Sequence, residues 1–330
     1  MLYITTKNHN DAFTAHKALV ENCAPDGGRF VPFRLPSYTA EEILAFGDKS
    51  FNATIADVLN LFFASKLQGI DVEFCIGKNI AKLVPMTHKI VIGEVWHNLD
   101  RSFSYVEKQL FCKLAEKNDE PTIWAQIAVR IAVLFGLYGE MLRNSLVQPG
   151  QDFDISVPDD YQLSAAAAMY GRKMGLPIRT IICSCQDNGD LWDFIHRGEI
   201  NTAAAAAGLI PEIERLVQET LGFEELAKFR EVCERGKTYR VNEESLPTLN
   251  KGLFCSVAGK DRALKTINSV YRSNSYIIDA KTALCYGGLQ DYRAKTGESG
   301  LTLILAEKTP AASAGTISKA TGIPATKLTF

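Results

Sequence analysis

The chain has 330 residues, 46% of them hydrophobic and 22% charged, which is enough apolar material for a two-part α/β protein. A formal net charge of −2, a pI near 6.3 and no basic stripe with interleaved aromatics argue against nucleic acid or an anionic membrane as partners. The opening MLYITTKNHNDAF lacks the apolar centre of a signal peptide, and the most apolar run, 131–139, is bounded by Arg130 and Glu140. That run is far shorter than a membrane span and reads as buried helix.

In chain order, Asp26-Gly27-Gly28 makes a turn before a short strand, and Thr39 with Glu42 forms a capping box that opens a helix. Apolar residues at three-to-four spacing predict an amphipathic helix over 52–66. These elements suggest a helical N-terminal module, residues 1–88. The second part, 89–330, begins with a buried strand over 90–95 that turns into a helix. A long helix over 123–143 follows, then a strand (153–157), a helix (164–175) and a strand (178–183). Further strands are expected at 253–258 and 301–307, with helices around 262–271 and 282–295. Continuous apolar strands separated by helices predict a parallel sheet covered on both faces, hence an α/β fold. The alanine-rich 203–207 reads as a close-packed segment.

The eight cysteines are scattered, and only Cys183 and Cys185 lie close together, inside an apolar strand. Buried strand thiols in a reducing cytoplasm are expected there, not a metal or redox site. His9, His16, His88 and His196 have no metal-ligand spacing, and no nucleophile elbow, Walker loop or dinucleotide fingerprint occurs.

Several phrases together resemble one family. YITTKN is similar to a Y-x-S-T-R-G opening, and APDGGRFVP to A-P-D-G-G-L-F-V-P. SVPDDYQLSAAAAMYGRKMGLPI aligns without a gap to V-P-T-G-N-F-G-D followed by K-K-M-G-L-P-I. IERL resembles the end of S-N-x-E-R-L, and IIDAKTALCYG resembles D-P-H-T-A-V-G. The family is threonine synthase, a pyridoxal-phosphate (PLP) enzyme that converts O-phosphohomoserine to threonine and phosphate. The resemblance implies the fold-type-II PLP architecture, like that of the tryptophan synthase β chain, over nearly the whole chain.

The same alignment implies departures in every ligand-handling motif. The family's PLP lysine, in E-L-F-H-G-P-T-x-A-F-K-D-x-x-x-Q, falls on Ser104, in a frame running from Glu94 through His97 and Phe103 to Gln109. A hydroxyl cannot form the Schiff base through which PLP acts. The phosphate loop G-N-F-G-D falls on Asp160, Tyr161, Gln162, Leu163 and Ser164. Asp159 and Asp160 therefore stand before the helix, where they read as N-caps that would repel a phosphate. Lys281 replaces the histidine of H-T-A-V-G, and Ile123 replaces the asparagine before Trp124. A small α/β domain that the family inserts after the lysine helix has no counterpart in the chain.

The resemblance thus implies a vestigial cleft formed by His97, Asn98, Ser104, Tyr105, Trp124, Lys281 and Thr282, beside a former phosphate loop of Asp159, Asp160, Tyr161 and Gln162. The expectation is a catalytically silent threonine-synthase-like protein with a binding, regulatory or assembly role, without cofactor or metal. The alternative is an active PLP-dependent lyase whose amine has moved to Lys108, one helical turn after Ser104. Expected partners are a small amino-acid-like ligand, and a second copy or another protein over the face carrying Ser104, Tyr105 and Lys108.

Overall fold

A computed structural model describes residues 1–78, 80–87, 89–158, 163–186, 189–203 and 209–328. The chain starts with β1 (Leu2–Thr5), β2 (Phe13–Thr14), α1 (Ala15–Val20) and β3 (Phe30–Pro32). α2 (Ala40–Leu44), α3 (Phe51–Phe63) and α4 (Gly69–Ile76) follow, then β4 (Lys82–Thr87) and β5 (Ile90–Glu94). α5 (Phe103–Ala115) and α6 (Ile123–Arg143) lead to β6 (Phe153–Pro158), α7 (Leu163–Lys173) and β7 (Ile178–Cys185). Next come α8 (Gly189–Arg197), β8 (Glu199–Asn201), α9 (Leu209–Leu221), α10 (Phe223–Glu234), β9 (Thr238–Arg240) and α11 (Leu246–Leu249). β10 (Leu253–Val257), α12 (Lys260–Asn274), α13 (Ala280–Thr296), β11 (Thr302–Ala306) and α14 (Ala314–Thr321) complete the order.

Six strands form the central sheet in the order β10-β7-β6-β11-β5-β4. All its pairs are parallel except β4 with β5. Alternation along each strand sends side chains to two separate cores. Val91, Ile155, Ile181, Leu303 and Leu305 face one core, together with α3, α5, α6 and α7. Ile90, Ile92, Ile182 and Ile304 face the other, with α12, α13 and α14. Each such residue, fully buried, contributes about 1.5–3 kcal/mol.

The parallel sheet covered on both faces is as expected, and so is the capping box: Thr39 Oγ1 accepts from Glu42 N at 3.2 Å, and Glu42 Oε2 accepts from Thr39 N at 2.8 Å. The helix predicted over 123–143 matches α6, whose start is capped by Thr122. α6 is long and apolar enough to cross a membrane, yet 16 of its 21 residues are buried inside the protein. It is the core helix.

Three features differ from expectation. The N-terminal module is not purely helical, because β2, β1 and β3 pair antiparallel; strands of two to four residues are too short to show a period. The central sheet has an antiparallel edge, β4, which lies within the first 88 residues and whose register shifts between Pro85 and Thr87. Proline cannot donate to a ladder, so an edge is where such a strand belongs. The antiparallel pair β8–β9 and helices α8 to α10 were also not expected. Most of 203–207 lies outside the described residues.

α6 approaches the short 3-10 helix Ala45–Asp48 so closely that a Cβ on Gly139 would stand 2.6 Å from the Phe46 carbonyl oxygen. Gly139→Ala is therefore expected to destabilise the fold by about 1–3 kcal/mol, although alanine is the better helix former. Urea unfolding of the two proteins measures the difference.

Candidate functional site

In open α/β sheets ligands bind outside the carboxyl ends of the strands. Two groups of polar side chains gather at that edge here, one on each face of the sheet.

On the α12–α14 face, Glu94 closes β5 and is buried. Tyr276 Oη donates to Glu94 Oε1, and His97 Nε2 shares a 2.7 Å hydrogen bond with Glu94 Oε2. A carboxylate only accepts, so the proton of a neutral His97 sits on Nε2 and Nδ1 is left as an acceptor. The His97 ring stacks on Trp96 with centroids 4.0 Å apart, which fixes its plane. Burial first, then the Glu94 carboxylate, push the Tyr276 phenol upward, keeping it a neutral donor. These groups line a groove of about 470 Å³ that also takes in Lys82, Tyr271 and Lys327.

On the opposite face lies a buried ion cluster. Arg130, on the core helix, donates through Nε to Glu107 Oε1 at 2.8 Å and through Nη1 to Glu307 Oε1 at 2.5 Å. Nη1 also bonds the Ser164 hydroxyl, which in turn donates to Glu307 Oε1 at 2.8 Å. The guanidinium lies 5.0 Å from the centre of the Phe103 ring. The free space among Val95, Phe103, Arg130, Ser164 and Glu307 is about 10 Å³, room for a water molecule at most. Burial, reinforced by the Glu307 carboxylate, raises Glu107 to about 7 against the pull of Arg130. Burial also works to raise Glu307, but Arg130 and the Ser164 hydroxyl outweigh it and hold that carboxyl below its ordinary range.

The expected cleft residues do not form one site. Ser104 is exposed on the first turn of α5 and shares a 3.0 Å hydrogen bond with Ser102 Oγ. Lys108 Nζ bonds Glu120 Oε1 at 2.5 Å, so its amine points to the loop after α5 and not to a cleft. Tyr105 is half-buried. Asn98 holds the turn before α5, donating from Nδ2 to the Ser102 carbonyl at 2.8 Å. Trp124 belongs to the core, with Tyr3, Phe62 and Tyr170 rings packed edge-on within 5.5–5.7 Å; its place at the start of the core helix puts it inside, not in a cleft. Thr282 is buried and donates to Asp279, the N-cap of α13, so it too is structural. Lys281 is half-buried on the same first turn and lies near enough to Glu107 and Glu307 to favour their charged forms. Asp159, Asp160, Tyr161 and Gln162 lie outside the described residues.

Glu107, Arg130, Glu307 and Tyr276 were not anticipated. A signal existed for the first two: Phe103, Val106, Glu107, Leu110 and Phe111 share the buried stripe of α5, and Arg130 falls between Ile127 and Leu134 on α6. A charge on an apolar stripe implies a buried partner.

The cluster has a pH signature. A carboxyl whose pKa is higher in the folded than in the unfolded chain stabilises the fold at low pH, and that contribution is lost as pH rises through the folded value, about 7 for Glu107. Thermal melts should therefore show Glu107→Gln gaining stability relative to the parent as pH climbs from the ordinary carboxylate range through neutrality. A pH-independent difference between the two proteins would contradict this assignment.

Residues 2–79 match the family model described as the threonine synthase N terminus. Threonine synthase-like 1 of Homo sapiens is 22% identical over 173 residues, 49% of this chain and 23% of that protein. The chain thus spans about a quarter of the curated relative. Among solved structures, PLP-bound threonine synthase from Brucella melitensis superposes with a TM-score of 0.81 at 17% identity, covering 98% of this chain and 92% of that one. Yeast threonine synthase superposes with a TM-score of 0.79 at 15% identity, covering 97% and 89%. These likenesses establish the fold. They also overturn the expectation of no cofactor, since three solved structures similar to this chain are threonine synthases and one of them is PLP-bound. The residue that the motif resemblance aligns with the PLP lysine, Ser104, carries no amine, and those aligned with the start of the phosphate loop lie outside the described residues. The N-terminal family match, the curated relatives and the shared fold agree in likening the chain to threonine synthases.

Proposed function

We propose that this threonine-synthase-like chain does not carry out the lyase reaction and serves as a small-ligand-binding, regulatory or assembly protein in a reducing, cytoplasmic setting. The observation that carries the reading is the state of α5. Its Ser104 faces solvent where the family places a reactive amine, while Glu107, on the inward stripe, is locked to Arg130 and Glu307. That cluster draws α5, α6, α7 and the end of β11 together and leaves the crevice between them closed. The loop 116–122 joins α5 directly to α6, so the family's inserted domain has no place there.

Several further observations suit the reading. The outward face of α5 is polar at Ser104 and Lys108, while Leu99 just before it is 91% exposed. A second copy or another protein is a natural cover for that corner. The competing reading, a lyase using Lys108, is weakened by the Lys108–Glu120 ion pair.

The test supplies PLP and O-phosphohomoserine to the intact chain and measures phosphate. No release above the protein-free control is expected. Release that disappears in Lys108→Met would overturn the proposal in favour of the relocated amine. Borohydride reduction followed by peptide mapping reports, independently of turnover, which lysine PLP has joined.

A further inference from the structure

The groove at the end of β5 holds a buried carboxylate. Glu94 is 4% exposed, and among the described residues its ion-pair partner is a histidine, with no lysine or arginine in range. Tyr276 and His97 each hydrogen-bond one of its oxygens, which leaves a further lone pair on each. Lys82 stands directly opposite Glu94 in the β4–β5 pairing, so both side chains leave the sheet on the same face. Lys82 lines the groove without closing onto Glu94, and Lys327 lines it as well. One buried negative group and two exposed positive ones therefore share a cavity whose other walls are Trp96 and Tyr271.

We infer that this groove binds a small zwitterion of the α-amino-acid class, its ammonium on Glu94 and its anionic end toward Lys82 and Lys327. An ammonium adds a positive charge beside Glu94 and donates to the second lone pairs of its oxygens. His97, stacked on Trp96 and hydrogen-bonded to Glu94, forms one wall of the site. The aromatic walls suit the apolar part of such a ligand, and a volume of about 470 Å³ exceeds what a single amino acid fills. The site lies on the opposite face of the sheet from Ser104 and the Arg130 cluster. The inference deepens the small-ligand reading proposed above and rests on it.

The experiment titrates the intact chain with the standard L-amino acids and O-phospho-L-serine, each beside its 2-hydroxy-acid analogue, by thermal shift and calorimetry. At least one amino acid is expected to raise the melting temperature, and its hydroxy analogue, which lacks the ammonium, to fail. Glu94→Gln should weaken that binding about tenfold or more. Lys82→Ala combined with Lys327→Ala, at exposed positions, should weaken it and flatten its salt dependence; this pair decides if Glu94→Gln does not fold. The inference is overturned if no amino acid shifts the melting temperature, or if these variants bind the best one as the parent does. Amino-acid binding together with phosphate release would remove the non-lyase reading and keep the groove. The absence of both would do the reverse.

Discussion

A guanidinium in the middle of an otherwise apolar helix has to be answered by carboxylates, and Arg130 organises much of this molecule for that reason. Its partners come from α5 (Glu107), α7 (Ser164) and the residue after β11 (Glu307), three elements far apart in sequence. Removing one partner from a buried ion pair costs about 3–5 kcal/mol, because the group left behind cannot return to water. The arrangement therefore fixes the angle and rotation of α5 against the core helix more tightly than apolar contacts alone would.

That rotation decides the character of the outer face of α5. Once Glu107 and the stripe of Phe103, Val106 and Leu110 point inward, Ser104 and Lys108 are carried out of the stripe toward solvent. Lys108 then finds Glu120 on the loop that joins α5 to α6. The short loop and the inward Glu107 act together: one ties α5 closely to α6, and the other fills the crevice between them. What remains of polar character at the strand ends has moved across the sheet, where Glu94, His97 and Tyr276 converge.

Much of the architecture was legible because it depends on local chemistry. The Thr39–Glu42 box, the Thr122 cap and the apolar strands around 153–157 and 178–183 announce themselves over a few residues. The short strands β1 to β3 carry no period long enough to read, and β4 holds a proline, which speaks against a strand unless it lies at an edge. In the site, the position of Ser104 was readable from the alignment of motifs, but the outward direction of its side chain was not. Trp124 misled because a motif position says nothing about which face of a long helix turns inward.

By itself, the sequence determined the strand–helix alternation, the caps and the hydroxyl at position 104. Each of these is a property of neighbours along the chain or of a single side chain. Only the tertiary structure decided which charges meet. Glu94 and Tyr276 are separated by 182 residues, and Arg130 and Glu307 by 177. Such pairs form because parallel strands bring their carboxyl ends to one edge, where burial withdraws water and leaves each charge to its protein partners.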